Sequence, residues 1–106
     1  MTVQDILEER LRLRSEQIAA FCRKWRIVEL SLFGSVLRDD FRPDSDVDIL
    51  VSFDEASRWT LWDFVDMKEE LERMLGRTVD LVSKRSLKNA GRRDSILRTR
   101  QTLYAA

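Results

Sequence analysis

Two aspartates, Asp46 and Asp48, open the run DVDILVSF at residues 46–53, whose β-branched and apolar content reads as a strand. Side chains alternate along a strand, so Val47, Ile49 and Val51 share one face and Asp46 and Asp48 the other. A fold that accepts this strand buries the first face and leaves the aspartates open, because a carboxylate is rarely buried without a partner. At i and i+2 the two stand roughly 6–7 Å apart along the backbone. Like charges so close raise one another's pKa, and a hard divalent cation with a preference for oxygen, Mg²⁺ above all, relieves the conflict. TVDLV, residues 78–82, repeats the pattern, with Val79 and Leu81 on one face and Asp80 on the other. If the two strands are neighbours, three carboxylates converge, the ligand number suited to phosphoryl or nucleotidyl transfer with two ions. Asp80 is then nearest the attacking hydroxyl and the candidate to take its proton.

The rest of the chain supplies helices to cover such strands. Ile18, Phe21, Cys22 and Trp25 recur at i, i+3, i+4 and i+7, and with Ile6, Leu7 and Leu11 they predict a helix over residues 4–25. IVELSLF, residues 27–33, alternates as a strand and stops at Gly34, after which VLRDDF reads as a short helical piece. From Thr60 a second long helix is marked by a capping box with Asp63, an apolar stripe of Leu61, Phe64, Val65, Leu71, Met74 and Leu75, and Gly76 at its stop. Ile96, Leu97, Leu103 and Tyr104 predict a last helix. The order α-β-(short α)-β-α-β-α implies an α/β (α+β) fold: a small mixed sheet flanked by helices, in one domain spanning residues 1–106.

Composition narrows the chemistry. With no histidine in 106 residues, His-based acid-base catalysis and His-ligated zinc are excluded, and any metal must be held by oxygen. The single cysteine, Cys22, cannot form an internal disulfide and reads as core packing in a reducing compartment. No apolar run reaches the roughly 20 residues of a membrane span and no secretory leader opens the chain, so a cytoplasmic protein without membrane association is expected. The net charge of zero hides an asymmetry: residues 39–72 carry twelve acidic and three basic side chains, residues 73–106 nine basic and two acidic. The acidic middle suits cations and the basic tail a partner or phosphates. The tail residues Lys84, Arg85, Lys88, Arg92 and Arg93 have no interleaved aromatics, so direct reading of nucleic acid is not expected. Trp59 and Trp62 read as core packing, and Ser45 as a turn residue.

Gly34-Ser35 follows the first strand, where glycine admits close approach of a phosphate and the serine hydroxyl can donate to it. Neither G-x-x-x-x-G-K-[ST] nor G-x-G-x-x-G is present. Gly34-Ser35, ten intervening residues, Asp46-Val47-Asp48 and a later Asp80 together resemble the signature of the DNA polymerase beta-like nucleotidyltransferase superfamily. The fuller stretch LFGSVLRDDFRPDSDVDILV is similar to its minimal nucleotidyltransferase (MNT) branch, which pairs with HEPN-type RNases in toxin–antitoxin systems. The resemblance implies that Gly34, Ser35 and Arg38 bind the nucleoside triphosphate and that Asp46, Asp48 and Asp80 hold two Mg²⁺ ions and form the catalytic triad. It implies further that AMP passes from ATP to a tyrosine of a cognate HEPN toxin, with this chain as antitoxin. A departure stands at Asp39, where relatives commonly carry glycine. The alternative is an inactive binding module that neutralises the toxin by occlusion. Self-association is left open.

Overall fold

The computed structural model describes residues 2, 5–39, 41, 42 and 44–106. A six-residue π-helical turn, Ile6–Leu11, leads into α1 (Ser15–Lys24), β1 (Ile27–Phe33) and a 3₁₀ turn, Gly34–Leu37. Then come β2 (Val47–Phe53), α2 (Leu61–Leu75), β3 (Val79–Ser83), a 3₁₀ turn at Lys84–Ser86, α3 (Ala90–Thr99) and β4 (Gln101–Ala105). The four strands form one mixed sheet in the order β3-β2-β1-β4. β1 runs antiparallel to both β2 and β4, while β2 and β3 are parallel. The expected small mixed sheet flanked by helices is therefore the architecture.

One face of the sheet carries the main core. Leu30 and Leu32 of β1, Val47, Ile49 and Val51 of β2, and Val79 and Leu81 of β3 pack against Ile18, Phe21 and Cys22 of α1 and Met67 and Leu71 of α2. Cys22 is fully buried, and burial pushes its thiol up to about 12, which fits packing rather than reactivity. α2 is delimited as its sequence signals predict. Asp63 N–H donates to Thr60 Oγ1 and Thr60 N–H to Asp63 Oδ2, while Gly76 closes the helix at φ 66. Among the described residues no helix is long and apolar enough to cross a membrane.

Four expectations are corrected. The helix over residues 4–25 is broken at Arg12–Arg14, where Arg12 turns left-handed at φ 55. A continuous helix would carry Leu13 some 200° round from Leu11 and away from the core. The break buries both, at 2% and 4% exposure. The final helix stops at Thr99, so Leu103 and Tyr104 belong to β4. Arg100 leaves the helical region and its Nε donates to Glu29 Oε2 at 2.8 Å, laying a β-branched and aromatic segment along the free edge of β1. The short helical piece is the 3₁₀ turn Gly34–Leu37 rather than VLRDDF, whose Asp40 lies outside the described residues.

The fourth correction concerns the start of α2. Trp59 is packed as expected, its ring 5.2 Å from that of Trp25 and its Nε1 donating to Trp25 O at 2.7 Å. Trp62, Leu61 and Val65 are instead 77%, 74% and 37% exposed. The helix presents Phe64, Met67 and Leu71 inward, and three residues assigned to packing fall on its outer side. Ser45 does act as a turn residue, its Oγ accepting from Arg42 N–H at 3.1 Å.

Candidate active site

β1 and β2 lie side by side, with Phe33 opposite Asp48, so the residue after β1, Gly34, falls beside the Asp48 side chain. Gly34 has φ +75, and a Cβ there would stand 2.1 Å from Asp48 Oδ2. Both the backbone conformation and the close approach therefore require glycine. The following residue, Ser35, donates its backbone N–H to the Asp48 carboxyl, and its Oγ makes a long 3.4 Å contact to Asp46 O. The Gly-Ser bend and the first aspartates are thus in direct contact.

Asp80 reaches the same place from the other side. β2 and β3 are parallel and in register, pairing Val47 with Val79, Asp48 with Asp80 and Ile49 with Leu81. Paired residues on neighbouring strands lie about 5 Å apart and point to the same face. Val47, Ile49, Val79 and Leu81 go into the core, and Asp48 and Asp80 emerge opposite. Asp46 precedes β2 by one residue and is exposed, so it is not a strand residue as the sequence pattern suggests.

The electrostatics record this crowding. The Asp48 carboxyl is held above its ordinary value of 3.8, first by burial, then by the charge of Asp80 and, less, that of Asp46. The Ser35 N–H and the Arg92 guanidinium act in the opposite direction. Among the described residues no group of three or more acidic or cysteine side chains stands ready to hold an ion. Asp48 and Asp80 are brought together, and Asp46, exposed beyond the end of β2, acts on Asp48 by its charge. The groups that meet here are carboxylates, and oxygen donors of this kind suit a hard cation such as Mg²⁺. Arg38 is exposed at the end of the 3₁₀ turn, three residues after Ser35, and its N–H donates to Ser35 O at 2.9 Å.

Three arginines shape this end of the molecule; sequence reasoning places Arg92 only in the basic tail and misses Arg10 and Arg77. Arg92 enters at the start of α3, where Asn89 Oδ1 caps the Arg92 N–H at 2.9 Å, and its charge reaches Asp48. The contrast between acidic middle and basic tail was the signal for it. Arg10 and Arg77 hold the loop from Ser35 to Asp46 by its carbonyls. Arg10 donates to Val36 O and to Arg38 O at 2.7 Å, and Arg77 to Arg42 O at 3.1 Å and Arg10 O at 3.3 Å. No sequence signal marks such long-range contacts.

The aspartates lie at one end of β2 and β3, and an open groove of about 800 Å³ lies at the other, lined by Phe53, Trp59, Phe64, Leu81 and Arg85 among others. Arg92 borders both.

Comparison with known proteins adds to this geometry. A family model described as a nucleotidyltransferase domain matches residues 14–103. The protein adenylyltransferase MntA of Thermococcus cleftensis is 46% identical over 66 residues, 62% of this chain and 65% of that one, so the match spans just under two thirds of the relative. A solved structure described as a minimal nucleotidyltransferase superimposes with TM-score 0.72 at 41% identity, over 88% of this chain and 92% of the other. The Shewanella oneidensis complex of a tri-AMPylated HEPN toxin with its MNT antitoxin matches with TM-score 0.63 at 22% identity, over 87% of this chain and 70% of that chain, a likeness of fold.

Proposed function

This chain belongs to the nucleotidyltransferase domain family, which matches residues 14–103, and on that premise we propose that it is a protein adenylyltransferase. It moves AMP from ATP to a hydroxyl group of a partner protein and releases pyrophosphate. The observation that carries this reading is the register pairing of Asp48 with Asp80, beside a glycine that both its left-handed backbone and the approach of Asp48 require.

In this reading residues 1–106 act as one catalytic domain. Ser35 and Arg38 hold the triphosphate. The Ser35 backbone N–H is already committed to Asp48, so its hydroxyl, held by a contact of 3.4 Å, is the group free to turn to phosphate. Asp46, Asp48 and Asp80 would hold Mg²⁺, which when bound supplies charge neutralisation for the pyrophosphate and eases loss of the acceptor proton. Asp80, exposed at the edge strand, meets the acceptor hydroxyl and takes its proton as the acceptor oxygen bonds to the α-phosphorus and the bond to pyrophosphate breaks. Arg92 offers positive charge beside the same carboxylates.

The class of acceptor is inferred from the relatives. One is a protein adenylyltransferase, and the Shewanella complex holds an AMPylated HEPN toxin with its MNT antitoxin. A tyrosine of a cognate HEPN toxin is therefore the proposed acceptor, and silencing of that toxin the proposed role. The test incubates purified protein and partner with Mg²⁺ and ATP labelled at the α-phosphate. Label is expected on the partner and is expected to vanish with Asp48→Asn. A partner that is inhibited but carries no label would replace catalysis with occlusion.

A further inference from the structure

A second groove, of about 660 Å³, is bordered by Phe41 and Arg42 of the loop that joins Ser35 to Asp46. Its lining holds five arginines, Arg10, Arg12, Arg42, Arg73 and Arg77, and one described carboxylate, Glu9. The end of α2, residues Met74 to Gly76, opens into it, and the negative pole of a helix attracts cations. That pole is worth roughly half a charge and accounts for one arginine at most. Arg73 also faces Glu70 of the same helix, so against Glu9, Glu70 and the helix end a surplus of about two positive charges remains among the described residues.

Four of the five arginines have no carboxylate partner among the described residues. Arg10 and Arg77 are held on backbone carbonyls, which leave their charge unneutralised. Arg12 and Arg42 are exposed, and their side chains make no hydrogen bond or ion pair among the described residues. Arg12 stands in the left-handed region at φ 55, which residues other than glycine adopt uncommonly, and lines this groove.

We propose that this groove binds a compact polyphosphate, either inorganic or the triphosphate tail of a nucleotide. The guanidinium fork matches phosphate oxygens in pairs, and the volume is that of a small-molecule site. A base-stacking ligand such as single-stranded RNA fits less well. Phe41, the aromatic ring of the groove, is engaged with Arg77 at 4.6 Å and Arg10 at 5.8 Å from its centre, and stacking would displace those contacts. Arg10 and Arg77 also support the loop between Ser35 and Asp46, so the groove and the catalytic end share their supports.

The test is calorimetric titration of the full chain with sodium tripolyphosphate in EDTA at low salt. Without divalent ions the three aspartates repel the ligand, and loss of the remaining binding in Arg12 and Arg42 variants assigns it to this groove whether or not the adenylyltransferase reading holds. Single-site binding that weakens steeply with salt is expected, and Arg12→Glu with Arg42→Glu is expected to weaken it at least tenfold, roughly 1.4 kcal/mol. If that pair of substitutions prevents folding, Arg12→Gln with Arg42→Gln gives the same readout with a smaller loss. Absence of binding in EDTA, or binding unchanged in the folded variant, overturns the proposal. ATP binding as tightly as tripolyphosphate assigns the nucleotide tail as source, and weaker ATP binding assigns free polyphosphate. A single-stranded oligonucleotide or an acidic peptide that binds tenfold more tightly than tripolyphosphate overturns the assignment.

Discussion

On the helix-covered face of the sheet Leu30, Leu32, Val47, Ile49 and Val51 are all at 2% exposure or less, whereas the opposite face is divided along its length. There Leu50 is buried with Phe33, Leu87 and Ile96 under α3, and Asp48, two residues earlier on the same strand, is only half-buried beside Asp80. The first face is packing throughout. The second packs at one end and keeps carboxylates at the other, so the fold holds its charged cluster rigid by anchoring the far half of the strands that carry it. Stability and chemistry are separated by face and by strand end, and substitutions should separate them too.

The largest expected effect is chemical. Asp48→Asn should lower AMP transfer roughly 10³-fold, about 4 kcal/mol of barrier, while leaving the protein folded, as read by labelled-ATP turnover beside a thermal melt. A variant that transfers AMP normally would break the division between the faces. On the core face Leu71→Ala, at a fully buried site against the sheet, should cost about 3 kcal/mol in urea denaturation, with Mg²⁺ affinity of the folded protein unchanged. Gly34→Ala links the two regions. Its Cβ would meet Asp48 Oδ2 at 2.1 Å in a left-handed conformation, so a loss of about 2 kcal/mol in stability should accompany loss of turnover. Loss of one without the other would show that the Gly34–Asp48 contact is not shared between structure and site.

Much of this division is legible in the order of residues. Val47-Asp48-Ile49 and Val79-Asp80-Leu81 announce two half-buried strands with aspartates on the open face, and the Thr60–Asp63 box and Gly76 mark the ends of α2. Their common feature is locality, since alternation and capping act over a few residues. What was not legible depends on distant partners. Leu103 and Tyr104 fit a helical period with Ile96 and Leu97, yet the open edge of β1 captures them as β4. Leu13 breaks a helix because the core lies on its side of the chain. Leu50 shares a face with Asp48 and could not be known to be buried until α3 was placed over it. At the site, the pairing of Asp48 with Asp80 needed the order β3-β2-β1-β4, which alternation alone does not supply.

The smallest expected effect tests the open face most directly, through pH. The Asp48 carboxyl is raised above 3.8 in the folded chain by burial and by the charges of Asp80 and Asp46. Between 3.8 and that raised value the folded state keeps a proton that the unfolded state has lost, so the contribution of Asp48 to stability is full below pH 3.8 and falls as pH rises through the folded value. In EDTA the wild type should therefore melt below Asp48→Asn at neutral pH, and the gap should close as pH approaches 3.8. Because Asp48 is partly exposed, solvent screens the repulsion and the gap should be a few °C at most. Mg²⁺ at neutral pH should raise the melting temperature of the wild type more than that of Asp48→Asn, since the variant lacks the half-buried carboxylate that a cation would neutralise. A wild type that melts above the variant in EDTA across the whole range would mean that neither burial nor its acidic neighbours disfavour the Asp48 carboxylate, and the open face would then be polar surface rather than a cation site.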